Sequence, residues 1–287
     1  MAIYFALQAS LCFSIAHILI RRGLVESNAI TGSFISLSMS AVLLWLAVPF
    51  FAPLSALWNP AALIFVAAGI FAPGIGRTLS YVGIERIGVA RSVPIANSSP
   101  IFASVFAVVF LAEAWVLQNV VGTLLVIAGV IVLSMAQPAQ GEWRKLDAIY
   151  PLIGAVAFGA STTLRKAGLG FINFPLLAAA VTAGSAAIFS LTLLHIQGGR
   201  AAFKLTRHSA AWLLPAAVFN TAAMLSVFFA LSHGKVVIVE PLVSSNPVTT
   251  LLLTSIFLRD VESLGLRVIT GAALTVTGTI LVVLVRQ

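Results

Sequence analysis

Pro94-Ile95-Ala96-Asn97-Ser98-Ser99-Pro100 returns 147 positions later as Pro241-Leu242-Val243-Ser244-Ser245-Asn246-Pro247. Each copy sets a pair of prolines around three small polar residues inside a long apolar run. Working outward, the same offset lays Glu113 over Asp260, each just after a leucine (Leu111, Leu258). After a slip of two residues, Gly122 and Gly129 fall on Gly271 and Gly278. Upstream, Phe13 through Gly23-Leu24 matches Phe158 through Gly168-Leu169. Chance could give one such match; an ordered series along the chain is a duplication.

The apolar runs set the class. Of 287 residues, 60% are hydrophobic and 8% charged, with a mean hydropathy of +1.10. Soluble domains carry about 25% charged residues, so this chain cannot cover a water-facing surface, whereas lipid demands few charges. A spanning helix needs about 20 apolar residues. That length predicts helices near 2–20, 30–50, 60–81, 89–111, 117–135, 148–165, 174–194, 210–231, 236–257 and 264–285, with a polar break from Gln137 to Asp147. The fold class is therefore an all-α integral membrane protein of about ten transmembrane helices. Five helices per half place the second half in the opposite sense, as two inverted five-helix repeats. Many secondary transporters are built this way, since two such halves can exchange roles across the membrane.

The net charge of +8 would suggest nucleic acid on a soluble protein, but no basic face interleaved with aromatics exists, and no nucleic-acid partner is expected. Eleven of the 16 Lys and Arg fall in odd-numbered loops, four in even-numbered loops or the C-terminal end, and Arg77 inside a helix. The positive-inside rule then favours external termini. The single cysteine, Cys12, excludes an internal disulfide. Met1 runs straight into an apolar segment with no cleavage pattern. No His-Glu-x-x-His, Gly-x-Ser-x-Gly or Gly-x4-Gly-Lys-Ser/Thr motif occurs, so neither a membrane enzyme nor direct nucleotide-driven pumping is supported, and no cofactor or metal is expected.

Matched prolines in two halves point to a transporter's binding site. Proline removes a donor and frees a carbonyl, which lipid cannot satisfy, so such helices line protein or a wet cavity. Three consecutive helical positions fan over about 200°, so Asn97-Ser98-Ser99 and Ser244-Ser245-Asn246 each offer a group to the interior; Asn97, Ser98, Ser244, Ser245 and Asn246 are the candidates. Packing against neighbouring helices is the competing role. Ionisable residues inside spans are costly and mark function. Arg77 follows the loosened Pro73-Gly74-Ile75-Gly76, with snorkelling as its alternative. Glu240 precedes Pro241, with an ion pair to Arg77, Arg91 or Lys235 as its alternative. Asn220 sits mid-span beyond Pro215, and His17 in the first helix. Glu240 and His17 are the coupling candidates. Glu113, Asp260 and Glu262 read as solvated turn residues, and the closing glycines as close-packing positions.

Leu111-Ala112-Glu113, a short turn and Gly122-x6-Gly129, repeated as Leu258-Arg259-Asp260 and Gly271-x6-Gly278, resemble the closing signature of the drug/metabolite transporter superfamily, specifically its EamA-type ten-helix members. The resemblance implies two EamA-like five-helix repeats, residues 1–136 and 147–287, around a central cavity. It implies a secondary transporter, not an enzyme, in the cell inner (plasma) membrane. Its substrates would be small polar metabolites such as amino acids, with export the expected direction. Anionic metabolites or lipophilic drugs are the alternative, a membrane enzyme or channel subunit the remoter one. The partners implied are a small-molecule substrate and the lipid bilayer, as monomer or homodimer. Two departures stand out. Where small multidrug relatives carry a membrane-embedded Glu in the first helix, this chain has His17. Family members also usually place their termini in the cytoplasm, against the charge bias above.

Overall fold

A computed structural model describes residues 1–87, 92, 95–114, 116–134, 144–199, 202–249, 253 and 266–284. Apolar runs close their backbone hydrogen bonds within themselves, the one solution lipid allows to a single segment. They become α1 (Ala2–Gly23), α2 (Ala29–Phe51), α3 (Ala62–Gly69), α4 (Gly76–Ile87), α5 (Ser99–Leu111) and α6 (Leu117–Ser134) in the first half. The second half holds α7 (Ile149–Phe171), α8 (Pro175–Ile196), α9 (Arg207–His233), α10 (Val236–Val243) and α11 (Leu266–Val283). The α3 and α4 helices are two pieces of one crossing, and α10 continues past a turn to Thr249. Ten crossings result among the described residues. Capping fixes where two begin: the Asn28 side chain accepts from Thr31 N at 2.8 Å, and Thr206 with Ser209 forms a reciprocal box at the start of α9.

The packing partners come in mirrored sets. The α1 helix packs on α9, as α7 packs on α3 and α4; α5 packs on α7, as α10 packs on α1. The α2–α8 and α6–α11 pairs are their own mirrors. This is the pattern of a two-fold relation between inverted repeats. In the α6–α11 pair the two helices meet at their glycines. A Cβ on Gly122 would stand 2.9 Å from the Gly278 carbonyl, and one on Gly129 would stand 2.6 Å from that of Gly271. The small-residue reading of the closing helices therefore holds.

Burial is lopsided along the membrane normal. Ala2, Ala6, Val48, Phe65, Phe228 and Val236 belong to one buried apolar cluster. All lie at helix ends on the side of the termini. Toward the odd-numbered loops buried side chains are fewer, Ile87 and Leu213 among them. Glu113 does not sit in a solvated turn. It is 8% exposed, and its carboxylate accepts Val236 N at 2.9 Å and Val237 N at 3.1 Å, capping α10 from the other half of the chain. A carboxylate at a helix N-terminus satisfies two orphan donors and suits the dipole.

Candidate functional site

Both proline-bracketed phrases break their helix at the same place. Residues 97–98 and 244–245 form turns. Ser98 Oγ donates to Ile95 O at 2.6 Å, and Ser245 Oγ to Leu242 O at 2.7 Å. The next amides repeat as well, Ile101 N to Ser98 O at 3.0 Å and Val248 N to Ser245 O at 3.1 Å. The serine hydroxyls thus bind the carbonyls that the interrupted ladder leaves open. That use turns Ser98 and Ser245 away from the ligand role expected of them, and neither lines the cavity.

Their neighbours do line it. Ala96, Asn97 and Ser99 from one break face Val243, Ser244 and Asn246 from the other, position for position, around a central cavity of about 310 Å³. Two further matched pairs join them: Phe13 with Phe158, and His17 with Thr162. Each sits on α1 or its counterpart α7. The side chains of Asn97, Ser99 and Ser244 have no hydrogen-bond partner among the described residues. Asn246 is tied twice, its side-chain Nδ2 donating to Val243 O at 3.2 Å and its carbonyl accepting from Ser14 Oγ at 2.9 Å. Asn220 lines the cavity while donating to Ser36 Oγ at 3.0 Å.

The charges break this symmetry. Arg77 lies on α4 just past an irregular joint, Ile70–Ile75, where Ala72 is extended (φ −153°, ψ 129°) and Pro73 lacks a donor. The joint leaves carbonyls unpaired inside the membrane. Ser161 Oγ answers two of them, Ala68 O at 2.7 Å and Ala72 O at 2.9 Å, and Arg165 Nη2 adds a bond to Ala72 O at 2.6 Å. Arg77 therefore enters the cavity instead of snorkelling to an interface. No hydrogen bond or ion pair ties it to a described residue. Glu240, only 9% exposed, sits on α10 in the same cavity. The position matching Arg77 is occupied by Met224, and that matching Arg165 by Ile20.

No ion pair within 4.0 Å joins Glu240 to Arg77, to Lys235 or to any other described residue. Arg165 and Thr162, one turn apart on α7, line the same cavity, with Thr162 Oγ1 donating to Phe158 O at 3.2 Å. Arg91, the other partner considered, lies outside the described residues, as do Asp260 and Glu262. Reading the sixth span as 148–165 put Arg165 and Lys166 at its end among loop residues; the helix instead runs to Phe171. The apolar Ala167-Gly168-Leu169-Gly170-Phe171 was the signal that it continued. His17 presents much of its surface to the cavity, within reach of the Arg77 charge.

Two smaller spaces extend from the centre. One is lined by His17, Ile20, Leu24 and Gly32, the other by Ile30, Thr78, Phe189 and Gln197, and both share Arg77 with the main cavity. Both lead to the odd-loop side. The cavity is closed at the termini side by the apolar cluster.

In comparisons with known proteins, the family model for EamA-like transporters matches residues 1–135 and 146–284. No curated protein is significantly similar to the chain in sequence. A solved crystal structure of a protein at 17% identity superposes with a TM-score of 0.80, covering 98% of this chain and 95% of that one; at that identity the likeness is one of fold.

Proposed function

The chain belongs to the EamA-like transporter family, and from that membership we propose that its central cavity carries a small polar metabolite across the cell inner membrane by alternating access. The observation that supports this most is the pairing of the two helix breaks around one cavity. Broken helices at matched positions in two repeats are how such folds put polar groups at mid-membrane without exposing backbone to lipid. The cavity volume lies at the low end for small-molecule sites, a size for amino acids and related compounds. Closure at one side and sparser burial at the other describe one of the two states an exchange cycle needs. His17 and Glu240 are its two groups able to carry a coupling proton, and export is its direction. Counterflow of radiolabelled candidates in proteoliposomes tests the reading, because saturable exchange against internal cold substrate is expected of a carrier. A membrane enzyme gives no such exchange, and a channel gives flux that does not saturate. Either result would replace the transporter reading.

A further inference from the structure

Four ionisable side chains line the central cavity among the described residues: His17, Arg77, Arg165 and Glu240. Their arrangement sets what charge a ligand brings. Arg165 has little freedom. It donates to Ala72 O at 2.6 Å, and its guanidinium carbon stands 5.5 Å over the Phe228 ring. Its Nε is buried with no partner. Held there, it lines the same cavity as Glu240, but no ion pair within 4.0 Å joins the two. Glu240 is the one carboxylate among the described lining residues, against two guanidiniums. Arg77 is in the opposite condition. It is half-buried in the cavity wall and ties to no described residue. A buried cation without a partner calls for a mobile one.

We propose that the cavity's two guanidiniums against one carboxylate leave a net positive charge, with Arg77 the cation free to meet a ligand, so the transported ligand is a small organic anion, a carboxylate or phosphate ester, and not a zwitterion. This rests on the transport reading above. The forked donors of Arg77 suit either anion. The unpartnered groups of Asn97, Ser99 and Ser244 supply further donors, and Phe13 and Phe158 receive the carbon skeleton from opposite walls. Arg165, held at Ala72 O, adds to the charge of the cavity and is a specificity-determining residue, not a direct ligand.

The test is thermal stabilisation of the purified full-length protein by compounds that share a skeleton and differ in charge. Lactate, alanine, isopropylamine and isopropyl phosphate form one set; phenyllactate, phenylalanine, phenethylamine and phenethyl phosphate form the other. Bound ligand raises apparent stability in proportion to occupancy. The acid or phosphate member is expected to stabilise best on at least one skeleton, and whichever of the two stabilises at lower concentration names the anion. Arg77→Gln is expected to weaken that member on the order of a hundredfold. Glu240→Gln keeps the Arg165–Ala72 bond and so tests the assignment even where an Arg165 variant fails to fold. It leaves Arg165 uncancelled and is expected to tighten anion binding. Arg165→Gln is expected to shift preference to the amino acid, and Arg165→Gln combined with Glu240→Gln to restore the anion. A parent protein that prefers alanine or phenylalanine, or a Glu240→Gln variant that binds anions more weakly, overturns the charge assignment alone. A parent stabilised by no member of either set, and showing no counterflow of any of them, overturns the transport reading itself.

Discussion

Replacing Glu113 by alanine removes both acceptors at the head of α10. Val236 and Val237 are 0% and 1% exposed, so water does not readily take the place of the carboxylate at their amides. A hydrogen bond to a charged group contributes about 1.5–3 kcal/mol, and an unmet buried donor costs about 1–3 kcal/mol. Allowing for relaxation and for the two donors sharing one acceptor group, a total near 3 kcal/mol is expected for Glu113→Ala. Glu113→Gln keeps one carbonyl acceptor and should lose about half as much. At about 2–4 °C per kcal/mol for a chain of this size, the alanine variant should melt about 6–12 °C below the parent in detergent. Lys166 holds the other side of the same elbow, donating from Nζ to Leu231 O at 2.7 Å near the end of α9. A cation at a helix C-terminus and an anion at the next N-terminus act on one joint. The Glu113→Ala and Lys166→Met effects should therefore not add. The assay is melting of all four proteins of the cycle. An alanine variant within about 1 °C of the parent would refute the capping argument, and strict additivity would refute the shared joint.

Three other outcomes follow from the same geometry. Gly129→Leu should push α11 off α6, because even a Cβ there meets the Gly271 carbonyl at 2.6 Å; a clear loss of folded yield is expected, and normal yield would contradict close packing. Ser161→Ala leaves the Ala68 and Ala72 carbonyls of the broken crossing with one donor fewer, at a cost of about 1–3 kcal/mol by melting, and an unchanged melt would contradict that role. From the eleven-to-four loop bias, a C-terminal green fluorescent fusion should stay dark in bacteria and an alkaline phosphatase fusion should be active; a bright fluorescent fusion reverses the orientation.

The architecture was legible because duplication and lipid both leave coarse marks. The twin phrases around Pro94 and Pro241 located the helix breaks to the residue, and Gly122, Gly129, Gly271 and Gly278 located the closing pair. Rotation about a helix axis was not legible. The reading of three consecutive polar positions could not say that Ser98 and Ser245 would turn to their own backbone while Asn97, Ser99, Ser244 and Asn246 met the cavity. Length was the second blind spot. A 20-residue ruler ended the sixth span at Arg165, and so mistook a cation of the cavity wall for a loop residue. Glu113 misled for a related reason: its partners are amides 123 positions away, and no local pattern announces a cap supplied by another element. Phe13 and Phe158 were visible as a matched pair, yet only the fold shows that matched positions on α1 and α7 face each other.

The symmetry of the scaffold and the asymmetry of its burial together make the last prediction. The serine hydroxyl bonds and the backbone bonds that follow them are equivalent at the two breaks, although the second break is tied further by Ser14 and by Asn246 itself. What also differs is which ends of the helices are packed: the described core joins the termini side, where Ala6 is 0% exposed, and Ile20 lines the space on the far side of the cavity. Exchange of conformations between repeats would carry that packing to the other side. In a Cys12→Ala background, Ala6→Cys should therefore resist a membrane-impermeant maleimide while Ile20→Cys reacts. Because Glu113 ties the loop after α5 to the head of α10 on the packed side, adding Glu113→Ala should raise labelling at position 6 and lower it at position 20. Only a coupled change answers to alternating access. Labelling that rises at position 6 with no fall at position 20 would mean that the capped joint merely frays, and that the two sides open independently.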